Sequence, residues 1–177
     1  MSRLEVLPAT AGRWSDVDAV FGARGCSVAR GCWCMFYRHR GKGAEPPAGQ
    51  TQAQMYRDQL RRLTRRDPPP GLVGYRGGVP VGWVSLGPRE DFAKLQHSPV
   101  MKPVDDEPVW SIICFVVPAE HRRQGVAGEL LRGAIDFARQ RDRLRAPARR
   151  AHAGSLSGGP RRSGPGRFAV VRRQVDV

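Results

Sequence analysis

The 177-residue chain is poor in most of the features that mark a specialised class. No apolar run approaches the roughly 20 residues that cross a bilayer, so no membrane partner is expected. The start, Met1-Ser2-Arg3-Leu4-Glu5-Val6, has no apolar core of the kind a secretory signal carries, and the expected location is the cytoplasm. Cysteine is sparse. Cys26, Cys32 and Cys34 are spaced C-x5-C-x-C, which does not match the C-x2-4-C of common zinc sites. With Cys114 they read as reduced thiols, and no metal is expected. Phosphate-binding signatures of the best-known kinds are missing too. There is no Gly-x4-Gly-Lys-Ser/Thr and no Gly-x-Gly-x-x-Gly. Lysine is nearly absent, and no Tyr follows Tyr75.

What is abundant is arginine. The formal net charge is +14, from three Lys, 27 Arg and 16 acids. The excess is uneven, because residues 141 to 177 hold ten Arg and two acids and so supply +8 of it. A basic, nucleic-acid-associated protein acting through this tail is therefore one reading. Zinc-finger spacing and RNP-like aromatic motifs are lacking, which makes nucleic acid an unexpected partner.

The length suits one α/β domain. Arg3 to Leu7 reads as a first strand, and Gly12 to Phe21 as a short helix with Ser15 as its cap. An aromatic knot, Cys32-Trp33-Cys34-Met35-Phe36-Tyr37, follows and belongs in the core or beside an acceptor cleft. Thr51 can cap a helix whose Met55, Tyr56, Leu60 and Leu63 recur at helical spacing, ending before Asp67 and three prolines. Leu72–Arg76 and Val79–Leu86 flank Gly77-Gly78, a hairpin signature. Arg89 to Pro103 is a connection with room for a helical turn. Val109 to Val117 is a buried central strand, and Val126, Leu130, Ala134 and Phe137 mark a helix running to about Arg139. Beyond Arg141 the periodicity fails. Ala146 to Arg167 has the composition of a linker, apart from a short apolar patch at Phe168–Val171.

The chemistry concentrates between Cys114 and Leu131. A buried strand (Phe115, Val116, Val117) enters a basic turn (Arg122, Arg123, Gln124), then Gly125-Val126-Ala127-Gly128 opens an amphipathic helix. Helix starts carry unpaired amides and a positive dipole end, and small residues there let a phosphate oxygen approach the backbone. This order builds an anion cradle. Its Arg122-x-x-Gly125-x-Ala127 resembles the Q/R-x-x-G-x-G/A signature of GNAT-superfamily N-acetyltransferases over residues 3 to 140.

That resemblance implies a GNAT-type α/β fold, a mixed central sheet flanked by helices, over residues 1 to 140, with 141 to 177 an incomplete or disordered tail. It implies acetyl-CoA as co-substrate, with pantetheine paired to Phe115, Val116 and Val117 and pyrophosphate held by Arg122, Arg123, Gln124, Gly125, Val126, Ala127 and Gly128. The Phe115 amide falls where the family polarises the acetyl carbonyl, and Val79 to Val84 matches its third strand. The acceptor would be a small-molecule or protein amine, and a homodimer is compatible. Catalytic groups are less clear. The family's central-strand Glu corresponds to Ser111; the nearest carboxylate is Glu107, preceded by Asp105 and Asp106. The usual Tyr that protonates the thiolate has no counterpart, nor is there a convincing fifth strand. Residues 141 to 166 resemble a divergent end or a shifted reading frame. Slow turnover, or a non-catalytic acyl-CoA-binding remnant, is the consequence.

Overall fold

The structure is a computed structural model that describes residues 3–41, 43, 45–101, 107–152 and 168–170. Five strands form one sheet in chain order: β1 (Glu5–Pro8), β2 (Gly71–Arg76), β3 (Val79–Pro88), β4 (Trp110–Val116) and β5 (Phe168–Val170). The first four are antiparallel and β5 runs parallel to β4. The β2–β3 hairpin turns on Gly77 and Gly78 at φ 57° and 79°, a left-handed pair that side chains resist.

Helices cover both faces. On one, α5 (Val126–His152) lays Val126, Leu130, Ala134 and Ala138 against Val84, Leu86 and Ile112. On the other sit α1 (Trp14–Gly22), α2 (Ser27–Cys32) and α3 (Gln52–Leu63), burying Phe21, Trp33, Met55 and Leu60 around Trp83. The aromatic knot lies in this second core, where Trp33 stacks on Phe21 at 4.5 Å and Phe21 meets Trp83 edge-on at 5.8 Å. Thr51 and Gln54 form a reciprocal capping box on α3. Ser15 is not a cap. It lies inside α1, because a 3-10 turn at Ala11–Arg13 runs straight into that helix. The connection after β3 holds a second 3-10 turn, Arg89–Asp91, and a single helical turn, α4 (Ala93–Gln96).

Two features depart from the sequence pattern. Helix α5 does not end near Arg139 but continues to His152. Arg, Gln, Ala and Leu in that stretch are good helix formers even without an apolar stripe, and they outnumber the one helix-breaking residue there, Pro147. The extension is also tied down by polar contacts, for Trp110 Nε1 donates to Asp142 at 3.0 Å and Arg141 pairs with Asp67 at 2.6 Å. Second, a fifth strand exists. Phe168, Ala169 and Val170 pair with Trp110, Ser111 and Ile112. The rest of the Arg-rich tail, 153–167 and 171–177, lies outside the described residues, as do Asp105 and Asp106.

Candidate cofactor site

The site begins with an irregularity in β4. Cys114 pairs with Ser85 and Ile112 with Leu86, so Ile113 is an extra residue without a partner on β3. Ile112 faces the α5 side, whereas Ile113 and Cys114 both pack on the opposite face; Phe115 then returns to the α5 side. The bulge also separates two environments. Trp110–Ile112 are held by β3 and β5, while among the described residues the segment from Ile113 to Val116 has a strand neighbour only in β3. Its second edge leaves backbone groups available to an extended ligand.

Past Val117 the chain makes a 3-10 turn at Ala119–His121 and enters α5 through two left-handed residues, Arg123 (φ 59°) and Gly125 (φ 78°). The Glu129 amide donates to Gly125 O at 3.1 Å, closing the first turn of the helix. The amides of Val126, Ala127 and Gly128 precede that bond and have no intrahelical acceptor. A Cβ built on Gly125 or Gly128 would meet nothing within 4 Å, so open space lies in front of them. An anion fits this cradle sterically and electrostatically.

The neighbouring side chains have different duties. Arg123 is exposed and has no hydrogen-bond or ion-pair partner among the described residues. Arg122 is engaged: Nε donates to Val117 O at 3.1 Å and Nη2 to Gly25 O at 2.8 Å. Gln124 is also engaged, donating to Glu120 O at 2.7 Å and accepting from Arg76 at 3.0 Å. Arg76 reaches on to Glu129 at 3.2 Å and so fastens the hairpin to the start of α5. A cleft of about 50 Å³ lies at the open edge, bounded by Phe115, Val116, Val117 and Arg122 on one side and by Gly25–Ala29 on the other. Sequence reasoning missed that second wall, together with Arg76 and Glu129. Gly25, at φ 83°, was the one signal available for the wall.

The two candidate catalytic residues are not alike. Ser111 is fully buried on β4, and among the described residues its hydroxyl has no hydrogen-bond partner. Glu107 is exposed and precedes the strand, so it does not share a strand face with Ser111. Among the thiols, hydrogen bonding to Cys114 and then burial hold Cys34 well above the usual thiol range, and burial raises Cys26. Both therefore stay protonated near neutral pH, which makes them poor nucleophiles. None of the four cysteines is in a disulfide, and among the described residues no three His, Cys, Asp or Glu side chains are grouped to hold a metal ion. No described helix is long and apolar enough to cross a membrane.

The model of the acetyltransferase (GNAT) family matches residues 33–154, more than half of the chain and all of the β4–α5 unit. The chain belongs to the GNAT acetyltransferase family. This GNAT protein is similar in fold to several solved structures. A ribosomal-protein-alanine N-acetyltransferase from Brucella melitensis biovar Abortus 2308 is 15% identical with a TM-score of 0.46, the match covering 80% of this chain and 76% of that one. The histone acetyltransferase HPA2 and related acetyltransferase from Corynebacterium glutamicum is 18% identical with a TM-score of 0.47, covering 77% and 72%. A Drosophila melanogaster polyamine N-acetyltransferase is 13% identical with a TM-score of 0.45, covering 77% and 71%. No curated protein matches the chain.

Proposed function

We propose that this GNAT protein is an acetyl-CoA-dependent N-acetyltransferase in which a primary amine, on a small molecule or a protein, attacks the thioester directly. The observation that carries the reading is the open β4 edge, with a cleft beside it and the anion cradle directly after it in the chain. An extended thiol-bearing arm beside Phe115–Val117 would leave its pyrophosphate at the amides of Val126, Ala127 and Gly128. Bound acetyl-CoA supplies the activated acetyl group. The protein's part is to hold that group against the Phe115 amide, to keep water away, and to accept charge at the phosphates through α5 and Arg123. A covalent acetyl route through Cys34 is disfavoured, because hydrogen bonding to Cys114 and burial hold its proton.

Proton handling is the weakest part of the machinery. Ser111 and Glu107 remain the candidates on or near β4, and the amine must lose its proton for attack. The burial of Ser111 and the exposure of Glu107 favour a second reading, an acyl-CoA-binding domain with slow or no turnover. We place the protein in the cytoplasm, on its reduced thiols. Two measurements decide between the readings. Calorimetry with acetyl-CoA tests binding, and intact mass of an amine panel after incubation with protein and acetyl-CoA tests transfer. Binding with a mass gain of one acetyl group on an amine supports catalysis. Binding without it supports the second reading, and no binding overturns both.

A further inference from the structure

Arg122 occupies the place in the family signature where a cation is expected to meet phosphate, yet its guanidinium is already spoken for. Nε is bonded to Val117 O, at the end of the cofactor strand, and Nη2 to Gly25 O, in the connection between α1 and α2. The two acceptors lie far apart in sequence and on opposite sides of the cleft. A further contact reinforces the junction, since the Ala119 amide donates to Arg24 O at 3.0 Å. Gly25 meets the turn so closely that a Cβ there would stand 2.9 Å from Ala119 Cβ and 3.3 Å from Arg122 Nη2. The wall so held carries Cys26, which is buried, and Val28, a large apolar side chain left 66% exposed at the cleft. Exposed apolar surface beside a narrow cleft suits the aliphatic arm of a ligand rather than its phosphates.

We propose that Arg122 is a positioning residue that clasps the α1–α2 connection to the end of β4 and thereby builds the pantetheine wall of the cleft, leaving charge at the cradle to Arg123 and the α5 amides. This rests on the acyl-CoA reading above. A guanidinium can reach two carbonyls at once through its fixed fork, whereas a lysine ammonium keeps the charge without that geometry. The clasp therefore depends on shape, and a phosphate contact would depend mainly on charge.

The test separates these by dividing the ligand. Arg122→Lys and Arg122→Gln would be titrated by calorimetry with acetyl-CoA and with 3′-phosphoadenosine 5′-diphosphate, which keeps the phosphates and lacks the arm. Both variants should lose roughly tenfold or more in acetyl-CoA affinity, the scale of a hydrogen bond to a charged donor, and change less than about threefold for the nucleotide. Arg123→Ala should weaken both ligands to a similar degree. Where an Arg122 variant loses folded structure locally, Gly25→Ala supplies a second route. Its Cβ crowds Ala119 and Arg122 and so displaces the wall with no change in the number of charges, and it should reproduce the same split. Amide exchange over residues 22–29 should quicken in all three clasp variants. Equal losses on both ligands in Arg122→Lys and Arg122→Gln, or unchanged acetyl-CoA affinity in Gly25→Ala, would overturn the clasp while leaving acyl-CoA binding intact. Failure of the unaltered chain to bind either ligand would remove both.

Discussion

The two halves of β4 are both mostly apolar and lie in opposite circumstances. Trp110–Ile112 are paired on both edges, and their side chains are buried. The segment from Ile113 to Val116 is paired on one edge among the described residues, and Cys114 and Phe115 are only partly buried. The first half is a structural element whose backbone groups are satisfied within the protein. The second has groups to offer, and the cradle follows it directly. Apolar sequence in a central strand thus serves burial at one end and, on the acyl-CoA reading proposed above, recognition at the other, the division falling at the Ile113 bulge.

The contrast can be broken most severely at the cradle. Gly125→Glu places a negative charge where an anion is expected and forces a side chain into φ 78°. Acetyl-CoA binding should become undetectable by calorimetry, and unchanged affinity would refute the placement of the site. Next come paired truncations in the two halves. Ile112→Ala should lower stability by about 2–5 kcal/mol in denaturant unfolding, with affinity for acetyl-CoA preserved in the folded fraction. Phe115→Ala should cost less than the ~3–5 kcal/mol of a fully buried Phe and should weaken acetyl-CoA instead. The reverse pattern would erase the distinction between the halves. The smallest effect is expected at Ser111→Ala. Removing a buried hydroxyl that has no partner among the described residues should change stability by no more than about 1 kcal/mol, with a gain as acceptable as a loss. Turnover falling tenfold or more at unchanged stability would instead assign Ser111 to the chemistry.

Much of this was readable in the chain. The anion cradle demands a fixed order of strand, small residues and helix, and that order is written between Cys114 and Leu131. The Gly77-Gly78 hairpin and the Thr51 cap are equally local, each set by two or three residues. The bulge was hidden because Ile112-Ile113 are both apolar, so a doubled residue leaves no break in the pattern. The extension of α5 past Arg139 was hidden for another reason. It is secured by Trp110 to Asp142 and by Arg141 to Asp67, long-range polar contacts with no periodic trace. Phe168–Val170 carried an apolar signal, but three residues in an Arg- and Gly-rich context are too few to identify a strand. The role of Arg122 could not be seen at all, since its partners are main-chain oxygens that any residue would present.

The extra residue at Ile113 also governs what deletions can do to this protein. Side chains alternate along a strand, and Ile113 and Cys114 interrupt that alternation by packing on the same face. Deleting Ile113 would therefore restore a regular ladder, in which Ile112 and Phe115 keep the α5 side and Cys114 and Val116 keep the other. A one-codon loss at Phe115, past the bulge, would instead send Val116 toward α5 and turn Val117 toward the aromatic core. The strand can thus give up a residue at the bulge without changing the address of any group downstream, and cannot do so one step further on.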